Sequence, residues 1–314
     1  MLFISYSRVD VTETKILSGD LASKGVECWL DESNIPMGQA FVAKLGEALQ
    51  RSDAFLMVDT PLSRRSHWVS REVKTAIRFR REGRSHTLAR VYSPPCEGQV
   101  GSPWDNSFPL DTVACESLAE LLAVRSTPRR VIAANADVSS VSIEGNGLGQ
   151  PSNWSGRQDE LRHLDEWWSE PARGAWIQGL GGNGKSGLVQ TWITALGYLG
   201  YDEPVKAAVL YVPGREVVKL EDAVGRLKSW QLHAAHEGKL VFLDGYDEAS
   251  PAADLEVLLQ EALRLGCRAI ITSRRQVPVP LVDRFRSINL SSMSRDDAPS
   301  MLSDFGSVRT VFPR

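Results

Sequence analysis

Residues Gly174–Leu196 read GAWIQGLGGNGKSGLVQTWITAL, and this order of residues predicts the architecture of the C-terminal half of the chain. A short apolar run comes first, a glycine-rich loop follows it, and an amphipathic segment follows the loop. The loop Gly179–Ser186, GLGGNGKS, matches the pattern GxxxxGK[ST]. Glycines let backbone N–H groups turn toward phosphate oxygens, and the start of the next helix favours negative charge. The stretch therefore predicts a strand, a phosphate-binding loop and a helix within an α/β domain.

The predicted phosphate loop gives a role to each of its motif positions. Lys185 is expected to reach the terminal phosphates of a nucleotide, and Ser186 to bind Mg²⁺. The other predicted ATP contacts in the loop are glycines, namely Gly179, Gly181, Gly182 and Gly184. Because the pattern stands between a strand and a helix, we prefer a nucleotide site to a purely structural glycine turn.

Two further strand candidates carry the groups that a nucleotide site needs. In KLVFLDGYDE an apolar run ends in acidic residues, of which Asp244 is predicted to hold the metal through water. Either Asp247 or Glu248 would orient an attacking water molecule. RAIITSRR places Arg274 where a cation would meet the γ-phosphate; the alternative is a solvated loop arginine.

Length and composition fit two folded domains. The chain has 314 residues, 42% hydrophobic and 24% charged, which are ordinary globular values and argue against disorder, collagen and coiled coil. Alternating apolar and amphipathic segments predict one α/β domain over residues 1–127 and a second over residues 156–314. Residues 128–155 lack periodicity and are rich in Ser, Asn and Gly, so they are predicted to be a linker.

Cysteine usage and hydropathy limit the setting in which the protein works. The four cysteines are scattered without a CxxC pair, which argues against a disulfide framework and against a structural metal site. No apolar run approaches the ~20 residues that span a bilayer, and the N-terminus lacks the apolar core of a signal peptide. We therefore expect a cytoplasmic protein without a membrane partner.

The motifs of the C-terminal half, GRQDEL, GLGGNGKS, VFLDGYDE, IITSRR and INLSSMSRDDA, resemble the STAND class of signalling ATPases over residues 156–314. The NACHT branch of that class is the most similar. The resemblance implies a strand order of 5-1-4-3-2, binding of ATP or ADP with Mg²⁺, slow ATP hydrolysis, and a switch from closed monomer to open oligomer. It also implies that Gly156 and Arg157 lie near the adenine. Only 24 residues follow Leu290, too few for the lid, winged helix and C-terminal sensor of the class, so we expect either a truncated chain or dependence on an unknown trigger or regulatory partner.

Three segments of the N-terminal half resemble, in order and spacing, the Toll/interleukin-1 receptor (TIR) domain. They are FISYSRVD from Phe3, WLDESNIPMGQAF from Trp29, and SDAFLMVDTPLSRRSHWVSRE from Ser52. The resemblance implies a flavodoxin-like fold, in which a parallel sheet has helices on both faces. It also implies self-association between copies of the domain.

Glu72 is the predicted catalytic residue, because by position it resembles the glutamate with which enzymatic TIR domains cleave NAD⁺. The alternative is a carboxylate that faces solvent near a helix start. One carboxylate is enough for this reaction, because the nicotinamide is already a cationic leaving group and the barrier lies in an oxocarbenium-like ribose. The predicted NAD⁺ contacts are Ser5, Tyr6 and Trp68, although both aromatic residues also fit ordinary half-buried positions.

One segment is strongly basic in a chain whose net charge is only −3. Residues 61–90 hold nine Arg or Lys against two Glu. The alternatives are a solvated arginine-rich helix face, attraction of the NAD⁺ pyrophosphate, contact with acidic surfaces of neighbouring TIR domains, and nucleic-acid binding. The near-neutral chain does not favour nucleic acid as the main partner.

Together these patterns predict an NAD⁺ glycohydrolase of the TIR type that is gated by ATP-dependent oligomerisation of the C-terminal domain. Its expected setting is innate immune signalling, such as antiphage defence. Clustering would order residues 34–40 against a neighbouring copy and complete the NAD⁺ site. Two other functions stay open, namely a non-enzymatic TIR scaffold switched by nucleotide and a P-loop ATPase that acts on nucleic acid.

Overall fold

The computed structural model describes residues 1–30, 41–82, 87–92, 111–112, 140–145, 148, 157–171, 174–198, 205–234, 238–249 and 254–292. By its internal contacts the chain divides into two compact units. The first comprises Met1–Val138 with Tyr198–Pro204, and the second comprises Ser139–Gly197 with Val205–Arg314. Each unit contains its own parallel sheet.

The sheet of the first unit has the strand order of a flavodoxin-like fold. Its strands are Leu2–Ser5 (β1), Cys28–Trp29 (β2), Ala54–Asp59 (β3), Thr87–Tyr92 (β4) and Asp111–Thr112 (β5). They lie in the order β2-β1-β3-β4-β5, and all four pairings are parallel. All residues of β1 and β3 are buried, as expected for central strands that are covered on both faces. The residues that follow β1 and β3 therefore lie at the same edge of the sheet.

Local capping fixes where the helices after β3 begin. The described helices of this unit are Val11–Ser23 (α1), Phe41–Arg51 (α2), Pro61–Arg65 (α3) and His67–Arg81 (α4). Thr60 and Ser63 form a reciprocal capping box at α3, whose first residue is proline. Ser66 then caps α4 by accepting a hydrogen bond from the N–H of Val69 over 3.4 Å. These caps set the position of every residue on α4, including Glu72.

The second unit is a larger parallel sheet. Its strands are Ser140–Glu144 (β6), Gly174–Gly179 (β7), Lys206–Pro213 (β8), Gly238–Asp244 (β9), Arg268–Ser273 (β10) and Phe285–Leu290 (β11). They lie in the order β11-β7-β10-β9-β8-β6, again with parallel pairings throughout. Counted from β7 as the first strand, the order is 5-1-4-3-2 with β6 added at the edge.

α-Helices connect β6 through β10 in turn, whereas a 3-10 helix, Val279–Arg284, lies between β10 and β11. The described helices are Gln158–Ser169 (α5), Lys185–Tyr198 (α6), Leu220–His233 (α7) and Leu255–Arg264 (α8). The longest helix in the described ranges of either unit, α4, has 15 residues. None of the helices in those ranges is both long enough and apolar enough to cross a membrane.

Strand β6 differs from the linker that the sequence predicts over residues 128–155. All five of its residues pair in register with Lys206–Leu210 of β8, so this part of the segment belongs to the second sheet. An edge strand is covered on fewer sides than a central one, and Ser142, Ile143 and Glu144 remain exposed. The stretch SVSIE consequently lacks the continuous apolar run by which the other strands were recognised.

Tryptophans form much of the core of the second unit. Trp167, Trp176 and Trp192 are completely buried. The indole N–H of Trp192 donates to Asp165 Oδ1 over 2.9 Å, and that of Trp176 donates to the carbonyl of Arg275, also over 2.9 Å. The second bond ties β7, which leads into the phosphate loop, to the segment that follows β10.

Candidate functional site

The phosphate loop of the second unit joins the end of β7 to the start of α6. Gly182 and Gly184 have φ angles of +82° and +81°, a region that residues with a side chain rarely adopt. Lys185 Nζ donates hydrogen bonds to the carbonyls of Gly179 and Leu180, each over 2.8 Å. The first N–H groups of a helix have no partner inside the helix, so the start of α6 suits an anion.

Asp244, at the end of β9, is the centre of a hydrogen-bond cluster. Its Oδ1 accepts from the hydroxyls of Ser186 and Thr272, each over 2.6 Å, and its Oδ2 accepts from the hydroxyl of Tyr211 over 3.2 Å. Burial, followed by the Asp244 carboxylate, raises the pKa of Tyr211 to about 12, so the phenol stays a donor at neutral pH. Ser186 and Asp244, the two predicted Mg²⁺ residues, are therefore in direct contact.

The sequence pattern did not identify Tyr211 or Thr272 as members of this cluster. They lie on β8 and β10, and each comes close to Asp244 only through the pairing of these strands with β9. Thr272 directly precedes SRR in the motif RAIITSRR. Its position near the end of a predicted strand could therefore have indicated that it belongs to the site. Tyr211 lies inside an apolar run, and no local pattern sets it apart from a core residue.

The two acidic candidates for orienting water have different surroundings. Asp247 accepts hydrogen bonds from Ser273 Oγ over 3.0 Å and from the backbone N–H of Arg274 over 2.6 Å. Arg275 Nε lies 3.6 Å from the same carboxylate. Within the described part of the chain, no hydrogen bond or ion pair holds the carboxylate of Glu248. Asp247 therefore fixes the segment after β10, whereas Glu248 keeps its oxygens available.

A cavity of about 320 Å³ brings the predicted nucleotide residues together. Its walls are the phosphate loop, the turn after β9 and the end of β10. The lining residues are Gly181, Gly182, Gly184, Lys185, Ser186, Gly187, Asp244, Gly245, Asp247, Glu248, Thr272, Ser273 and Arg274. Gly179 is not among them, although its carbonyl binds Lys185.

Charge in this cavity is divided between cations and carboxylates. Arg274 approaches the phosphate loop so closely that a Cβ added to Gly181 would lie 3.7 Å from its guanidinium carbon. Burial, followed by the nearby Arg274 charge, lowers the pKa of Lys185. Two cations that face one space suit a polyanion, and the adjacent Ser186 and Asp244 supply the oxygen donors that Mg²⁺ prefers.

Arg157 joins three parts of the second unit. Its backbone has a φ of +57°, and the side chain is buried. Nη2 donates to the carbonyl of Ser291 over 2.6 Å and to that of Asn183, in the phosphate loop, over 3.4 Å. Nη1 pairs with Glu160 over 2.9 Å. Arg157 thus touches the phosphate loop, while its predicted closeness to adenine stays a prediction.

In the first unit, Glu72 is buried and bonded to Ser5. The Ser5 hydroxyl, at the end of β1, donates a hydrogen bond to Glu72 Oε2, and the two residues are 1% and 5% exposed. Trp68 lies one helical turn before Glu72 on the same face of α4 and is half-buried beside the His67 ring. Tyr6 instead packs in the apolar cluster that contains Leu2 and Ile4, whose side chains alternate with that of Ser5. The structure therefore brings Ser5 and Glu72 together and places Tyr6 in the core.

The basic segment of residues 61–90 is not a single solvated face. Ten of the fifteen residues of α4 are buried. Arg71 and Arg78 are among them and are only 2% and 3% exposed. Arg64 binds the buried Asp59 through Nε over 2.6 Å and through Nη2 over 3.0 Å. Within the described part of the segment, the exposed arginines are Arg65, Arg80 and Arg81. The interpretation of this segment as a solvated arginine-rich face is thus wrong for Arg64, Arg71 and Arg78.

Some predicted features lie outside the described residues. They are the loop of residues 34–40, which clustering was expected to order, together with Gly156 and Arg84. For Arg90 the structure describes the backbone in β4 only.

Comparison with known proteins bears on the first unit. No curated protein matches the chain. The family model of the TIR domain matches residues 2–110, a range that contains Ser5, Trp68 and Glu72. The parallel sheet of order 2-1-3-4-5 in the same unit is consistent with that match. Residues 2–110 of this chain are therefore a TIR domain.

Proposed function

We propose that the TIR domain of this protein cleaves NAD⁺, and that binding of ATP with Mg²⁺ to the second unit gates this activity through oligomerisation. The observation that carries the proposal is the buried pair of Ser5 and Glu72 at the carboxyl edge of a parallel sheet. Ligands of open α/β sheets bind at this edge. In many bacterial proteins TIR domains act in immune signalling or in NAD⁺ cleavage, so we propose an immune role, such as antiphage defence, for this protein as well.

A buried carboxylate suits the chemistry of NAD⁺ cleavage. The bond between the ribose and the nicotinamide nitrogen breaks, its electron pair leaves with the nicotinamide, and positive charge develops on the ribose. Glu72 would stabilise this charge, and the hydrogen bond from Ser5 would hold its carboxylate in one orientation. Water, or a nucleophile within the ADP-ribose itself, then bonds to the ribose carbon and loses a proton. The nicotinamide needs no protonation, so no second acid is required at the site.

The cavity of the second unit supports nucleotide binding. Lys185 and Arg274 face the space in which a triphosphate would lie, and the start of α6 adds unpaired N–H groups. Ser186 and Asp244 would hold Mg²⁺, which neutralises phosphate charge when bound. Strand order 5-1-4-3-2 around the loop adds to this support, since the resemblance to STAND ATPases implies that order.

The hydrogen bonds distinguish the roles of the two acidic residues near Asp244. Asp247 already accepts from Ser273 and from the backbone of Arg274. Glu248 lines the same cavity without such bonds in the described part of the chain. We therefore assign to Glu248 the orientation of the attacking water, and to Asp247 the positioning of the segment that carries Arg274.

Nucleic acid is the weakest of the candidate partners. Arg71 and Arg78 are buried, and Arg64 is bound to Asp59, so these three arginines do not face a phosphate backbone. A non-enzymatic scaffold does not require a buried, hydrogen-bonded Glu72, because self-association depends on surface residues. We therefore propose that the protein self-associates through both units, and that this self-association controls NAD⁺ cleavage.

NAD⁺ turnover across a series of protein concentrations tests the proposal. We expect nicotinamide release to rise with protein concentration and with ATP and Mg²⁺, and to be lower with ADP or EDTA. Glu72→Gln should reduce release by about 100-fold or more, because it removes the charge that faces the ribose. Glu47→Gln, a half-buried glutamate on α2, is the matched control and should leave release unchanged.

Lys185→Ala tests the gating separately. This variant should lose the response to ATP, while Lys228→Ala, which changes a more exposed lysine on α7, should keep it. If wild-type protein leaves NAD⁺ intact at every concentration and with every nucleotide, the enzymatic proposal fails. If NAD⁺ cleavage is insensitive to nucleotide and to Lys185→Ala, the gating fails while the enzyme remains.

A further inference from the structure

We propose that Tyr211 is a positioning residue for the Mg²⁺–nucleotide site, because its hydroxyl holds the second carboxylate oxygen of Asp244. This inference rests on the proposed binding of nucleotide with Mg²⁺. In the proposed function, Ser186 of the phosphate loop and Asp244 at the end of β9 would hold the metal. Tyr211 lies on β8, outside those motifs, and it reaches the site from a neighbouring strand.

The two carboxylate oxygens of Asp244 accept hydrogen bonds from the two strands that flank β9. Oδ1 accepts from Ser186 and from Thr272 of β10, whereas Oδ2 accepts from Tyr211 of β8. Mg²⁺ tolerates little departure from octahedral geometry and is commonly held by one or two carboxylates. Without the bond to Tyr211, the two hydrogen bonds at Oδ1 alone restrain the carboxylate in the described part of the chain, and rotation about its terminal torsion becomes easier. Tyr211 thus restricts the orientation that the metal requires.

Tyr211 is itself fixed on three sides. Its ring packs against Phe242 with centroids 5.3 Å apart, and its carbonyl accepts a hydrogen bond from Arg226 Nη2 over 3.3 Å. Gly145, directly after β6, approaches the same carbonyl so closely that a Cβ added there would lie 2.5 Å from the oxygen. The contacts of the carbonyl restrain the backbone of Tyr211 and the packing on Phe242 restrains its ring, so the hydroxyl is presented to Asp244 from a well-supported position.

Two features argue against a purely structural role for this hydroxyl. The neighbours of Tyr211 in β8 are apolar and buried. At this position a phenylalanine would fill almost the same volume. The hydroxyl adds a bond to a carboxylate at the wall of the nucleotide cavity. Tyr211→Phe therefore removes that bond while it keeps the ring and its packing.

Equilibrium binding of a fluorescent ADP or of a non-hydrolysable ATP analogue, with Mg²⁺ and with EDTA, tests the inference without measuring turnover. In wild-type protein the Kd should be lower with Mg²⁺ than with EDTA. Tyr211→Phe should reduce this gain by about tenfold, the effect of one lost hydrogen bond to a charged group, and should leave the Kd in EDTA unchanged. Tyr246→Phe, which removes another half-buried phenol of the same unit, is the matched control and should keep the full gain.

A double-mutant cycle with Asp244→Asn separates positioning from general damage. If Tyr211 acts through Asp244, adding Tyr211→Phe to Asp244→Asn should cause no further loss of the Mg²⁺ gain. Additive losses, or an unchanged Mg²⁺ gain in Tyr211→Phe with wild-type thermal stability, would overturn the inference. Absence of nucleotide binding by the wild-type protein would instead overturn the proposed function, and this inference with it.

Discussion

Asp247 accepts a hydrogen bond of 2.6 Å from the backbone N–H of Arg274, and so the turn after β9 holds the segment after β10. The neighbouring Ser273 hydroxyl donates to the other oxygen of the same carboxylate over 3.0 Å. Arg274 in turn lies against Gly181 of the phosphate loop. The position of Arg274 at the wall of the cavity thus depends on a carboxylate from a different strand end.

Asp247→Ala should therefore lower the stability of the second unit and displace Arg274. The side chain of Asp247 is only 13% exposed, so we expect the free energy of unfolding to fall by about 1–3 kcal/mol, measured by urea denaturation. Affinity for ATP should fall as well, since Arg274 would no longer be held at the loop. Asp222→Ala, on the exposed surface of α7, should change neither quantity. An unchanged affinity for ATP in Asp247→Ala would contradict the positioning role.

Glu248→Gln should separate ATP binding from ATP hydrolysis. If Glu248 orients water as proposed, loss of its carboxylate should lower the rate of ATP hydrolysis by about 100-fold or more. Affinity for ATP should stay within about twofold, because no hydrogen bond in the described residues connects Glu248 to the phosphate loop. Single-turnover hydrolysis and equilibrium binding measure the two quantities, with the exposed Glu221→Gln as the control. Equal losses in both quantities would instead assign Glu248 to nucleotide binding.

The sequence predicts which residues of the phosphate loop line the cavity of the second unit better than it predicts the hydrogen bonds inside that cavity. Lys185 and Ser186 lie next to each other in the chain, so one local pattern identifies both. Tyr211 and Thr272 join the site only through strand pairing, which brings together residues that are far apart in the sequence. Local patterns cannot show such pairs, since they depend on the register of three strands.

The basic segment shows a second limit of the sequence. Residue type predicts that arginines are exposed, because burying a charge is costly unless it is paired. Arg64 meets this condition by binding Asp59, which lies five residues earlier at the end of β3. Residue type fails in the other direction at edge strand β6. Its Ser-rich stretch predicts a loop, yet its exposed residues pair with β8. Both differences arise from tertiary neighbours and not from the local sequence.

Ser5→Ala should slow the proposed NAD⁺ cleavage by the TIR domain without greatly weakening substrate binding. Ser5 positions the Glu72 carboxylate, so its loss should lower kcat by about tenfold, the effect of one hydrogen bond to a charged group. KM should change by less than about twofold. Ser5→Thr keeps the hydroxyl and should recover part of the rate, whereas Ser70→Ala on α4 should have no effect. If Ser5→Ala raises KM and leaves kcat unchanged, Ser5 contacts the substrate and does not position Glu72.

Arg64→Ala should be more destabilising than Arg65→Ala, the change of its neighbour on α3. Asp59 is 1% exposed and would lose the two hydrogen bonds from Arg64, which leaves a buried carboxylate with less compensation. We expect a loss of about 3 kcal/mol in the free energy of unfolding, measured by urea denaturation. Arg65→Ala, at the adjacent exposed position, should change it by less than about 0.5 kcal/mol. Similar small losses in both variants would show that the pair contributes little, and Arg64 would then be available to bind an anionic partner.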